Sequence, residues 1–127
     1  MYKQGTLIAV NGNLYEYHGY DEKAKVHLVY EVDIDCDGIL TATYTMCYFY
    51  PEQFTEGFNK IQLTQKQWLG LVEYLLRNDY QWSKVLYNLT EEEIETAAED
   101  IVCREFAILG VPTVEELNHI IETYMNR

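Results

Sequence analysis

The chain has 127 residues, 48% of them hydrophobic, which is enough for one domain with a core and too apolar for a disordered chain. Asp and Glu outnumber Lys and Arg 21 to 9, and the resulting charge of −12 repels phosphate backbones and anionic membranes. That argues against direct nucleic-acid binding and against membrane association. No apolar run nears the ~20 residues of a membrane span. Cys36, Cys47 and Cys103 make no CxxC pair and His18, His27 and His119 are scattered, so we expect free thiols, no structural zinc, no cofactor and a cytoplasmic setting.

The chain reads as one domain, 1–127, with two textures: 1–60 is strand-like and 61–127 is helical. Strands first and helices after imply an α+β fold, a four-stranded antiparallel meander packed with a three-helix region. The first hairpin is residues 6–10, the turn Asn11-Gly12 and residues 13–18, because Asn-Gly favours the positive φ such a turn needs. Residues 19–25 read as a polar connection. Val26, Leu28, Tyr30, Val32 and Ile34 then share one face, with His27, Glu31 and Asp33 on the other. After a turn at residues 35–38, residues 39–50 form a long strand that Pro51 ends. Leu40, Ala42, Tyr44, Met46, Tyr48 and Tyr50 share a face, opposite Thr41, Thr43 and Thr45. Residues 5–17, GTLIAVNGNLYEY, resemble the opening of SH3-like small barrels in translation and ribosomal proteins. Those proteins are usually basic, so the likeness bears on fold alone.

Three capping boxes open the helical half: Thr64 with Gln67, Thr90 with Glu93, and Thr113 with Glu116. The first helix is expected over residues 65–77, with Trp68, Leu69, Leu71, Val72, Leu75 and Leu76 inward. A short helix over residues 80–87 would carry Trp82, Val85 and Leu86. The second long helix spans 91–109 and stops at Gly110. The third spans 114–126, with Leu117, Ile120, Ile121 and Tyr124 inward.

Residues 91–105 hold seven acids (Glu91, Glu92, Glu93, Glu95, Glu99, Asp100, Glu105) and one base, Arg104, so half the net charge lies in this stretch. Glu91, Glu95 and Glu99 follow one ridge at about 6 Å intervals, close to the spacing of phosphates along a nucleic-acid strand. Such a ridge suits a basic groove, with Glu92 and Asp100 beside it. A solvated outer face is the competing reading.

Asp33, Asp35, Asp37 and Gly38 match the DxDxDG opening of a calcium loop. The twelfth position is Tyr44 rather than a bidentate Glu, and the flanks are strands. The competing reading is a hairpin turn. Twelve tyrosines are an unusual load. Tyr44 and Tyr48 are expected in the core. Tyr15, Tyr17, Tyr20 and Tyr50 are expected to form an exposed patch, suited to arginine through cation–π contacts. No nucleophile is paired with a base in sequence, and no catalytic motif appears.

These features describe a non-enzymatic acidic module that sequesters or inhibits a basic, nucleic-acid-binding protein. Its general character resembles phage and mobile-element inhibitors such as anti-CRISPR proteins and DNA mimics. A second reading is an assembly protein, a homo-oligomer joined through a tyrosine-rich sheet. A third is a metal module built on Asp33, Asp35 and Asp37.

Overall fold

Asn11 and Gly12 take φ of 53° and 82°, the conformation that a two-residue hairpin turn requires. They join β1 (Leu7–Val10) to β2 (Asn13–Asp21) with Val10 opposite Asn13. The computed structural model describes residues 2–54, 61–78 and 89–125. The short helix expected over residues 80–87 and the end of the last helix lie outside these residues.

β3 (Val26–Ile34) and β4 (Leu40–Phe49) complete an antiparallel sheet of order β1-β2-β3-β4. The sheet is open, so the SH3-like barrel is not formed. Three helices follow it, and the fold is α+β. α1 is Gln65–Asn78 and α2 is Glu91–Asp100. α2 runs on through a π-helical turn, Ile101–Glu105, into a last α turn, Phe106–Leu109, and ends at Gly110 with φ of 83°. α3 is Val114–Met125. The two capping boxes at Thr64 and Thr90 are both closed: Gln67 N–H donates to Thr64 Oγ1 at 3.2 Å and Glu93 N–H to Thr90 Oγ1 at 3.2 Å, with each threonine N–H answered by the Gln67 or Glu93 side chain.

Two sheet details differ from the sequence pattern. β2 does not stop at His18 but continues through Gly19 to Asp21, with a bulge between Tyr17 and Gly19. An extra residue in one strand shifts the side-chain alternation. Tyr17 pairs with Val29 and Tyr20 pairs with His27, so Tyr15, Tyr17 and Tyr20 all project from the same face. The second detail is Val29. It lies on the face with His27 and Glu31, the one expected to be polar, and it is fully buried. Ile8, Val10, Tyr15, Tyr17 and Val29 form a core cluster there, joined by Tyr2, Cys47, Phe49 and Phe54. Leu7, Ala9, Leu14 and Val32, on the opposite face, are buried as well. A sheet covered on both faces breaks strict alternation.

The chain gathers into two compact units. One contains Met1–Ile34, Thr41–Gln62 and Thr113–Glu115, and the other Asp35–Leu40, Leu63–Pro112 and Glu116–Arg127. In the second unit α1 buries Trp68, Leu71, Val72, Leu75 and Leu76, while α2 and its continuation bury Ile94, Ala97, Ala98, Ile101 and Val102. Leu117 and Ile121 of α3 are fully buried there too. Among the described residues, no helix is long and apolar enough to cross a membrane.

Candidate functional site

The acids of α2 do not act alike. Glu91 accepts from Arg77 Nε at 3.1 Å and from Nη2 at 2.8 Å, and Arg77 also reaches Glu73 at 3.4 Å. The hydrogen bond and charge of Glu91 raise the Arg77 pKa further above its ordinary value. Glu93 closes the capping box. Asp100 holds Arg104 at 3.4 Å and accepts from Tyr124 Oη at 3.0 Å. Glu91, Glu93 and Asp100 are thus engaged within the fold. Glu92, Glu95 and Glu99 are exposed and meet no basic side chain among the described residues. They are spaced three and four apart, which places them on one face. That face looks away from Ile94, Ala97, Ala98 and Ile101, which are buried. Glu91 is exposed on the same face but is held by Arg77, so the part of the ridge without a basic partner among the described residues is Glu95 and Glu99, with Glu92 beside them. Glu92 and Glu93 also border a shallow hollow with Leu89, Thr96, Ala97 and Tyr124.

Tyr50 is exposed as expected, but the other tyrosines sort differently from expectation. Tyr15 and Tyr17 are buried in the sheet core and Tyr20 is half-buried. Tyr44 is 82% exposed, Tyr48 63%, Tyr50 49% and Met46 47%. The reason is on the other side of β4. Cys47 and Phe49 face the core cluster, Cys47 Sγ donates to Glu31 Oε1 at 3.5 Å, and Thr43 Oγ1 donates to the Glu31 carbonyl at 3.2 Å. Thr43, Cys47 and Phe49 of β4 turn inward while Thr41 and Thr45 stay exposed, and Tyr44, Met46 and Tyr48 turn out. Burial and the neighbouring Glu31 carboxylate push the Cys47 thiol pKa up.

The residues that the sequence reading passed over lie around His27. Tyr17 Oη and His27 Nδ1 are 2.8 Å apart and share a buried hydrogen bond. The Phe54 ring stands 4.6 Å from the imidazole and Tyr20 4.9 Å. Tyr2, Tyr20, His27, Pro51 and Phe54 line an open cleft. Tyr2 Oη donates to Glu115 Oε1 at 3.2 Å, and burial together with that carboxylate pushes the Tyr2 pKa up to about 12. Gly19 was the readable sign of this arrangement, since an isolated glycine within a strand often marks a bulge.

The aspartate loop is a turn. Asp35 Oδ1 accepts from the Asp37 and Ile39 amides, each at 2.9 Å, and Gly38 takes φ of 82°. Asp37 pairs with Lys66 at 2.8 Å, which lowers its pKa from the usual carboxylate range. Asp33 is an exposed residue of β3. The three carboxylates do not converge, and no cluster of metal-ligating side chains occurs among the described residues. The motif is explained by the backbone it organises.

Compared with protein-family models, curated proteins and solved structures, the chain matches none.

Proposed function

We propose that the protein is a non-enzymatic acidic module that docks onto a basic, nucleic-acid-binding protein and occupies its anion-binding surface. Phage and mobile-element inhibitors that mimic DNA work in this way. The observation that supports the reading is the outward stripe Glu92, Glu95 and Glu99, which no described basic residue neutralises. Along a helix these carboxylates recur every ~4.5–6 Å, a spacing near that of backbone phosphates. The hollow beside Glu92 and Glu93 combines two carboxylates with a floor from Leu89 and Ala97, and an arginine side chain has matching parts: an apolar stem and a charged head. The net charge of −12 adds long-range attraction for a basic partner.

An arginine-rich peptide followed by NMR tests this. We expect amide shifts centred on residues 92–99 and an affinity that falls as salt is added. Replacing Glu92, Glu95 and Glu99 together by Gln should weaken binding on the order of tenfold, whereas Glu91→Gln, already paired to Arg77, should change it little. Equal binding by the triple variant, or shifts spread evenly over the acidic surface, would discard the reading.

A further inference from the structure

The two edges of the sheet are protected differently. β1 is 4 residues long and buried throughout. β4 is 10 residues long, has no strand beyond it among the described residues, and contains no charged side chain. A bare edge presents unpaired N–H and C=O groups that template another strand, and proteins usually guard it with lysine, proline or a kink. Here one kink interrupts the strand at Tyr44 and a proline follows its end. Tyr44 has φ of 60°, an unusual conformation for a bulky residue, and the ladder must bend there. Pro51 has no amide to donate. Between them, residues 45–49 form a regular run whose middle member is Cys47.

This run is its own complement. An antiparallel copy related by a two-fold axis at Cys47 sets Tyr44 opposite Tyr50 and Met46 opposite Tyr48, in both directions. All four exposed members of the stripe then gain an aromatic or sulfur-bearing neighbour. The next acid after the strand, Glu52, lies in the 3-10 turn Pro51–Phe54 and outside the paired run, so no like charges meet along it. That matters for a chain of charge −12, because most of its other faces would repel a second copy. β4 itself offers no acid for a basic partner to pair with. At ~200 Å² for a whole tyrosine, the exposed parts of Tyr44, Tyr48 and Tyr50 amount to roughly 400 Å² per copy. Edge pairing covers the strand backbone and the flanks of these rings, which puts the contact at the small end of the range for protein pairs and calls for measurement up to submillimolar protein.

We propose that β4 pairs with β4 of a second copy around a two-fold axis at Cys47, making one continuous sheet from two. Sedimentation over micromolar to submillimolar protein tests it. The mass should double with concentration, and the dimer should tighten with added salt, because salt screens the repulsion between copies. Tyr48→Lys, at an exposed position, should raise the dissociation constant on the order of tenfold or more while leaving the urea midpoint unchanged. The Gln variant at Glu92, Glu95 and Glu99 should still dimerise, which separates this contact from the acidic face. A monomer at submillimolar protein and high salt overturns the proposal. So does a dimer that Tyr48→Lys leaves intact.

Discussion

His27 shows how one residue couples burial to stability. Its ring is enclosed by Tyr17, Tyr20 and Phe54, and burial pushes its pKa below the ordinary value. The folded protein therefore keeps His27 neutral to a lower pH than the unfolded chain, which takes up a proton near pH ~6.5. A depressed folded pKa gives stability that is complete above the unfolded value and declines as pH falls toward the folded one. Urea midpoints measured from about pH 8 to about pH 5 should fall below pH ~6.5, and His27→Gln should flatten that decline. The same slope in both proteins would locate the acid sensitivity at other groups. The tyrosines mark the limit of residue patterns. Alternation groups Tyr44, Met46, Tyr48 and Tyr50 on one face of a strand, and all four are exposed. It cannot say which face of β4 is covered. That is decided by Phe49 and Cys47 meeting Tyr15 and Val29 across strands. Chemistry alone would bury the larger rings, and here the smaller side chains go inside with one phenylalanine.

At the scale of elements, the readable features are those whose cause lies within a few residues. Asn11-Gly12 makes its turn, the threonines at 64 and 90 cap their helices, and Gly110 ends one. The approach of α1 to the 35–40 turn has no local cause. Gly70 lies inside α1, where glycine destabilises a helix by ~1 kcal/mol relative to alanine. A Cβ on Gly70 would collide with the backbone of Gly38, and one on Gly38 would come within 2.6 Å of the Lys66 carbonyl oxygen. Two glycines 32 positions apart let two backbones touch, and neither is interpretable without the other. Gly70→Ala should therefore lose ~2–3 kcal/mol in chemical denaturation instead of gaining the ~1 kcal/mol that propensity suggests. Gly19→Ala, where a Cβ meets nothing within 4 Å, supplies the control. A neutral or stabilising Gly70→Ala would show that α1 can retreat from the turn. The π-helical turn at Ile101–Glu105 was equally unreadable. Its buried Ile101 and Val102 continue the apolar pattern of Ile94, Ala97 and Ala98 without a change in composition.

Over the whole molecule, charge was legible in total and in location, because it follows from composition. The structure sorted the acids of α2 into those engaged by Arg77, Arg104 and a helix cap, and those facing outward. The division of the fold is less like the sequence. The textural boundary near residue 60 suggests two halves that a single cleavage could part. The path of the chain contradicts that picture. Residues 113–115, from the helical half, belong to the unit that contains the sheet, and residues 35–40, from the strand half, belong to the other. Val114 is fully buried, and Glu115 accepts the hydrogen bond of Tyr2. A gene encoding residues 1–62 thus contains all four strands and still lacks part of their unit. We expect that fragment to give no cooperative thermal transition by circular dichroism, and a sharp transition would refute this. Anyone wishing to express the sheet alone, to swap it onto another helical half or to join the protein to a reporter at residue 60 would be cutting through both units at once.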